Sequence, residues 1–464
     1  MTSSISASSL DPATTATQLA TAYTQQTQVL LDTQTQAAKA TSTGLSQLSS
    51  ALSTFSSALS GLSSKSSLSQ MSASLSNSAI GSATATSSAQ AGSYQVYVQQ
   101  LATKNQVAFQ DLPAIPVSSG GSLGVSLANG TSFNVNLSTA DTDGDGTLSQ
   151  TEIARAINQA PGNAGSMTAM IVSAGGTTQL MLSSGVSGAG GAITLDASAL
   201  PASALKTTLS GTPNTLVAAQ DAIVWLGAKG TGIEIQQGSN TLTAIAGVTV
   251  NLTQAQGASD APLTLTVAKD DSGTTSNVQK FVDAYNALQK SLTGLTANAD
   301  PKNNTAAAAF ASDSGVQSLV DRLGNLVRNT YGGVSLRNLG ISIDRNGQMS
   351  LDSTKLSSYL ATKPDALDSF FGTAGSVASG TGTGALGDLN KLADQWTNST
   401  TGQIKQRQDS VQTLQKSISD RQTRLDAQYD AAYKRYLAQF TALQTLSAQL
   451  DQTSSMLAGL STSS

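Results

Sequence analysis

The sequence contains no cysteine and no histidine among its 464 residues. Without these side chains the chain cannot form disulfides, thiol nucleophiles or Ser-His-Asp triads, and it lacks the usual ligands of zinc and iron–sulfur sites. Aromatic residues make up only 4% of the chain and charged residues only 11%. This composition favours several extended packing surfaces over one large core. We therefore predict a non-enzymatic protein that requires no cofactor.

Long apolar runs and basic clusters are also missing. No stretch of about 18 apolar residues occurs, so we expect no membrane insertion. The first residues, MTSSISASSLDPATT, have neither the positive segment nor the apolar segment of a cleaved secretory signal, so export would use another route. The net charge of −4 provides no basic surface for a phosphate backbone, and nucleic acid is not an expected partner.

Both ends of the chain carry apolar residues at the spacing of coiled-coil seams. A seam of alternating three- and four-residue steps predicts one packed helix face near the N-terminus, and seven-residue repeats predict another inside a helix over roughly 402–457. The N-terminal seam consists of Leu45, Leu48, Leu52, Phe55, Leu59 and Leu62, and the C-terminal seam of Ile404, Val411, Leu414, Ile418 and Leu425. We predict that the two seams pack on each other.

The middle of the chain changes to the two-residue period of β-strands. Apolar residues alternate over 123–127 and again over 133–137, and Asn129-Gly130 between them indicates a tight hairpin turn. Similar runs make the whole region of about 90–272 β-rich. Helical patterns return after residue 277, and the small residues of 373–387 predict a flexible connector.

These patterns predict an α+β multidomain protein. Its fold is a long α-helical coiled-coil stem formed by both chain ends, with β-rich head domains inserted between them. Residues 1–40 and 435–464 would be terminal leg helices that stay mobile until assembly. The stem would comprise 41–88 and 275–434, the first head domain 89–118 and 213–274, and an inserted outer head domain 119–212.

One motif predicts a bound ion. The segment DTDGDGTLSQTE has the ligand spacing of an EF-hand calcium loop, with a glycine at the sharp turn. Its expected ligands are the side chains of Asp141, Asp143, Asp145, Ser149 and Glu152 and the backbone carbonyl of Thr147. A strand precedes the loop where an EF-hand has a helix, so a metal-free acidic turn is the alternative. A structural calcium ion is the single bound group that the sequence suggests.

Several longer segments resemble one protein family. The segments FVDAYNAL, LGISIDRNGQMSLDSTKLSSYL and YLAQFTALQTLSAQL follow in family order, and they include Asn286 and Gly347. Further upstream, the stretch around Asn240 and the Ile157-Asn158 pair match the same family. Together these segments are similar to the flagellar filament cap proteins, or hook-associated protein 2 family, over nearly the whole chain. The N-terminus departs from the family because it lacks the usual GxD opening.

The resemblance implies a secreted, extracellular protein at the distal tip of a bacterial flagellum. It would form a ring homo-oligomer, often a pentamer, that helps exported flagellin to fold and polymerise. Hook-associated proteins and an export chaperone would be further partners. Two alternatives are another axial component, such as a hook–filament junction protein, and a secreted adhesin with calcium-stabilised β domains.

Overall fold

The computed structural model describes residues 11–64, 67–110, 112–174 and 176–461. Its helices are α1 (Pro12–Ser63), α2 (Gln150–Gln159), α3 (Ala204–Ser210), α4 (Asp271–Thr296), α5 (Ser314–Arg328), α6 (Ser353–Thr362), α7 (Ala366–Phe371), α8 (Gly384–Thr397) and α9 (Gln403–Ser461). The mixture of long helices with several sheets confirms the predicted α+β class.

The strands lie between α1 and α4, except for one hairpin between α5 and α6. They are β1 (Met71–Leu75), β2 (Gly81–Ala85), β3 (Gly92–Gln100), β4 (Lys104–Gln110), β5 (Ile115–Pro116), β6 (Ser122–Leu127), β7 (Ser132–Asn136), β8 (Thr147–Leu148), β9 (Met167–Ala174), β10 (Thr177–Ser187), β11 (Ile193–Asp196), β12 (Asn214–Val217), β13 (Ala222–Leu226), β14 (Ile233–Gln237), β15 (Thr241–Leu242), β16 (Val248–Leu252), β17 (Leu263–Lys269), β18 (Ile341–Ile343) and β19 (Met349–Leu351).

The chain forms two compact units, one nested in the other along the sequence. Met1–Leu68 and Ser272–Ser464 make a helical unit, and Ser69–Asp271 makes a β-rich unit. The predicted stem boundary at residue 88 is therefore wrong. Residues 71–75 and 81–85 form β1 and β2, which pair with β17 and β16, because their alternating serine and alanine residues suit the edge of a sheet.

The helical unit is built on α1, whose start is encoded locally. Asp11 accepts hydrogen bonds from the backbone N–H groups of Ala13 and Thr14, and Pro12 occupies the first helical position. From Leu45 onward the apolar face of α1 enters a core shared with α4, α5 and α8. The predicted N-terminal seam residues Leu45, Leu48, Leu52, Phe55, Leu59 and Leu62 are all buried in this core.

The segment predicted as a flexible connector is a closed loop instead. The backbones of Thr373 and Thr383 exchange two hydrogen bonds of 3.2 and 2.8 Å. Inside this closure Gly375 and Gly382 approach so closely that a Cβ on either would collide with backbone atoms opposite. The prediction failed because glycine serves close packing as well as flexibility.

The β-rich unit has two hydrophobic cores. One lies in the five-stranded sheet β1-β17-β3-β13-β14 and the sheet β15-β16-β2, and the other in the sheets β12-β4-β10-β9 and β11-β6-β7 with α2 and α3. The second core begins at Val107, so the predicted boundary at 118/119 is wrong. The reason is that β4 pairs with β10 on one side and with β12 on the other, and not with the first sheet.

The predicted β6–β7 hairpin is confirmed. Its register places Leu123 opposite Val135 and Val125 opposite Phe133, so one face carries all four apolar side chains. Gly130 in the turn has φ +92°, which explains why glycine follows Asn129. The hairpin supplies one wall of the second core.

Two leucines with seam-like spacing, Leu59 and Leu414, differ in burial, so we predict that their replacement by alanine changes the free energy of unfolding by very different amounts. We expect Leu59→Ala, at a fully buried position, to lower the free energy of unfolding by about 2–5 kcal/mol because it leaves a cavity. We expect Leu414→Ala, at an exposed position of α9, to change it by less than about 0.5 kcal/mol. Urea denaturation followed by circular dichroism measures both values, and equal losses would contradict this assignment of burial.

Candidate assembly interface and acidic loop

The long helices α1 and α9 pack against each other in antiparallel fashion. The side-chain amides of Gln28 and Gln422 exchange hydrogen bonds of 3.2 and 2.8 Å. Further along α1, Thr35 and Lys39 line the same groove as Gln415, which comes earlier in α9. The two ends of the chain are thereby joined along most of α1.

Between residues 404 and 432, α9 buries at most one residue in each heptad. Ile404, Ile418, Leu425 and Ala432 are buried, Val411 is partly buried, and all five are spaced in multiples of seven residues. On α1 the buried residues Thr24, Leu31, Ala38 and Leu45 are likewise spaced seven apart. A small cluster of Leu31, Ala38, Ile418 and Leu425 closes the outer part of this seam.

The assignment of Leu414 to the seam requires correction. Its side chain is 42% exposed. It shares its heptad position with Arg407 and Arg421, and these two arginines bond sideways to residues beside the seam. The position therefore lies on the flank of α9, where the leucine side chain stays largely exposed.

Arg407 fixes the beginning of α9 and was missed in the sequence. Its guanidinium lies 2.8 Å from the carboxylate of Asp313 and 5.2 Å from the ring centre of Trp396. Burial raises the pKa of Asp313, but hydrogen bonds from Val316 N–H and Arg407 outweigh it and hold that pKa below its ordinary value. The available signal was an arginine three residues after Ile404, where the seam pattern calls for an apolar residue.

The last part of α9 exposes its apolar residues. After Ala432, none of the side chains described through residue 457 is buried. Five apolar side chains in this part are half or more exposed: Leu443, Leu446, Leu450, Met456 and Leu457. Four of them follow steps of three, four and seven residues, which place them on one helix face about 21 Å long. We call Leu443, Leu446, Leu450 and Leu457 the α9 stripe.

The acidic loop brings three of its six predicted ligands together. Single carboxylate oxygens of Asp141, Asp143 and Asp145 lie within 4.8 Å of one another. The loop is held by its own backbone, since Asp141 accepts hydrogen bonds of 2.7 and 3.0 Å from Gly144 N–H and Gly146 N–H. Both glycines have positive φ, which the tight turn requires.

The other predicted ligands have separate partners. Glu152 accepts hydrogen bonds from the backbone N–H groups of Thr142 and Ser149, at 2.7 and 2.9 Å, while Ser149 caps α2 through its hydroxyl. The Ser149 N–H and then the Thr142 N–H lower the pKa of Glu152 to about 2, although burial acts in the opposite direction. Thr147 lies in β8, which pairs with β5. The carboxylate of Glu152 thus secures α2 to the loop.

The lowered pKa predicts an acid-sensitive contribution to stability. Because the pKa of Glu152 falls from its ordinary 4.5 to about 2 on folding, its stabilising effect is present above pH 4.5 and is lost as the pH falls towards 2. We expect the stability difference between the native protein and Glu152→Gln to be largest near pH 6 and to shrink between pH 4.5 and 2. Denaturant unfolding over a pH series measures it, and parallel curves would contradict the assigned role.

Calcium binding by the loop stays a prediction. Three converging carboxylates suit a hard cation. If calcium binds, a concentration about 100-fold above the dissociation constant adds about 2.7 kcal/mol of stability. We expect millimolar calcium to raise the melting temperature of the full chain, and chelator to reverse the rise. The variant Asp143→Asn with Asp145→Asn preserves side-chain size and should abolish the response; an equal shift in that variant would rule out this site.

None of the helices in the described ranges is long and apolar enough to cross a membrane.

Comparison with known proteins identifies two matching family regions. The description "Flagellar hook-associated protein 2 C-terminus" matches residues 219–452, and "Flagellar hook-associated protein 2 N-terminus" matches residues 8–105.

Individual relatives agree with these regions. The lateral flagellar hook-associated protein 2 of Vibrio parahaemolyticus is 34% identical over 83% of this chain and 85% of its own length. The A-type flagellar hook-associated protein 2 of Pseudomonas aeruginosa is 28% identical over 90% of this chain and 88% of its own length. The crystal structure of the Escherichia coli flagellar cap protein FliD, domains D1-D2-D3, has a TM-score of 0.62 and 25% identity, covering 79% of this chain and 99% of that one.

These similarities define the class as a structural protein of the bacterial flagellum. More narrowly, the chain belongs to the flagellar hook-associated protein 2 family, because the C-terminal family region alone covers more than half of its residues. The family predicted from FVDAYNAL and the other segments is therefore confirmed.

Proposed function

We propose that the chain is the cap at the distal tip of a flagellar filament. It acts there as a ring homo-oligomer, often a pentamer, that promotes the folding and polymerisation of exported flagellin. No bond chemistry is needed for this role. Membership of the hook-associated protein 2 family supports the proposal, and so does the similarity to the flagellar cap protein of Escherichia coli.

The observation that carries the proposal is the α9 stripe. The leucines of the stripe are exposed to water at heptad spacing. Burial of each of these side chains would provide about 1.5–3 kcal/mol of stabilisation. A partner helix with a matching seam recovers it. We assign this role to the filament end, where the terminal helices engage the subunits already assembled.

The same stripe supports the prediction that the chain ends become ordered on assembly. None of the side chains over 435–457 is fully buried, and the large apolar ones from Leu443 onward are exposed, so this segment depends on a partner to offset the entropy of ordering. The prediction also covers residues 11–40, most of which form the first part of α1, and residues 1–10 and 462–464, which lie outside the described residues. On the N-terminal side, exposed Leu19, Tyr23 and Leu30 extend the surface available to such a partner.

We further propose that the chain is secreted without a cleaved signal and that its partners include an export chaperone and other hook-associated proteins. The chaperone would hold the chain before export, when the stripe and the seams are all exposed. Absence of cysteine suits this route, since no disulfide can form in the exported chain before it folds.

Deletion of the gene, followed by complementation, tests the proposal. We expect the deletion strain to excrete unpolymerised flagellin, and the native gene to restore filaments. The variant Leu443→Gln with Leu450→Gln should fail to restore them, because glutamine keeps helix propensity but removes the apolar contact. Electron microscopy of cells and an immunoblot of the medium measure both outcomes.

The matched control replaces two residues on the other side of the same helix. Thr441→Gln with Ala448→Gln lies about 160° round α9 from the altered leucines and is also seven residues apart. This control should restore filaments as the native gene does. Normal filaments from the leucine variant would exclude the stripe as the assembly contact. A deletion strain that keeps its filaments and motility but loses surface attachment would favour the adhesin alternative.

A further inference from the structure

The four-stranded sheet of the β-rich unit has β9 at its edge. This strand has eight residues, carries no charge and no proline, and exposes Met170 and Val172 on its outer face. Such an edge presents free N–H and C=O groups and invites pairing with a strand from another chain. Natural sheets usually protect an edge like this with charged residues, proline or a bulge.

Here the side chain of Asn158 covers part of the edge. Its Oδ1 accepts a hydrogen bond of 2.8 Å from Ala169 N–H, and its Nδ2 donates one of 2.8 Å to the carbonyl of Ala169. In an antiparallel ladder, a residue of the neighbouring strand would make this same pair of bonds. A primary amide can reproduce the pair because it offers one acceptor and two donors on adjacent atoms.

Asn163 repeats the arrangement two residues earlier in β9. It accepts a hydrogen bond of 2.9 Å from Met167 N–H and donates one of 3.0 Å to the carbonyl of Met167. Asn163 is 3% exposed, and its Nδ2 also donates a hydrogen bond of 3.0 Å to the carbonyl of Ile157. The turn that holds it has positive φ at Gly162, Ala164 and Gly165, and at Ala164 this conformation is unfavourable for an alanine.

The two amides fill consecutive outward-facing positions of the strand. The backbone N–H and C=O groups of successive residues point to opposite sides of a strand. The groups of β9 that point away from β10 therefore belong to Met167, Ala169, Ile171 and Ser173. The first two are occupied by the asparagines. Within the described part of the chain, no group bonds to the outward sides of the last two. The asparagines therefore shorten the free edge to its final residues.

We propose that Asn158 and Asn163 together replace a fifth strand at the edge of this sheet, and that they keep β9 from pairing with an extended strand of another chain. The protection matters for a protein that folds beside other copies or beside other unfolded chains. It is independent of the α9 stripe, which lies in the other unit.

The chain contains its own control for this role. Asn240 exchanges the same pair of bonds with Ala102, at 2.7 and 2.9 Å, but Ala102 lies between β3 and β4 and not on an edge strand. Loss of either amide removes two equivalent hydrogen bonds. Only loss of Asn158 uncovers a strand edge.

The experiment compares Asn158→Ala with Asn240→Ala in the full chain. We expect both variants to melt a few degrees below the native protein. In Asn158→Ala alone, the amide proton of Ala169 should exchange at least about tenfold faster, because its hydrogen-bond partner is gone. The same variant alone should form species larger than any that the native protein forms at equal concentration, as measured by analytical ultracentrifugation.

A second substitution links the association to the edge. Val172→Lys in the Asn158→Ala background should abolish the larger species without restoring slow exchange at Ala169, because a charge beside the free edge opposes strand pairing. If Asn158→Ala does not fold, Asn158→Asp serves instead, since a carboxylate still accepts from Ala169 N–H but cannot donate to its carbonyl. Equal association of the Asn158 and Asn240 variants, or fast exchange without association, would overturn the proposal.

Discussion

The antiparallel contact between α1 and α9 is the constraint on which the rest of the helical unit depends. It joins the two ends of the sequence, so the chain between them must begin and end in this unit. This closure explains why the β-rich unit is nested between Leu68 and Ser272. Gln28 and Gln422 are 394 positions apart, so bringing them together has a cost in loop-closure entropy. Compact folding of the nested unit reduces this cost.

The seam that makes this contact is thin. On α9 at most one residue in each heptad is buried, and most of the buried residues on the facing part of α1 are small or polar, such as Thr24 and Ala38. This part of the helix pair therefore buries less apolar surface than the core around Phe281 and Phe371. Amide pairs and the Arg421 contact to Gln34 supply orientation more than stability. Stability therefore decreases from the inner to the outer part of the helix pair, where α9 continues without burial. A helix end of this kind is suited to exchange its partners during assembly.

The periodic parts of the fold could be predicted from the sequence, because period alone distinguishes buried helix faces from alternating strands. The N-terminal seam and the β6–β7 hairpin followed from such local patterns, whereas the family followed from the resemblance of FVDAYNAL and the other segments. The domain boundaries did not, since the assignment of β4 and of residues 71–85 depends on which distant strand they pair with. Leu414 shows the same limit, because spacing indicates a face but not whether a partner reaches it. At the acidic loop, spacing brought three aspartates to one point, whereas the orientation of Glu152 is set by backbone donors outside the motif.

The asparagines that mark the family resemblance have a common physical role that spacing could not reveal. Asn158, Asn240 and Asn286 come from three separate segments, and each exchanges two hydrogen bonds with the backbone of a single residue. For Asn286 that residue is Met349, so the amide attaches the β18–β19 hairpin to α4. Aspartate or leucine could not replace them, because only an amide both donates and accepts at this distance. These motif positions therefore hold strands and turns in place.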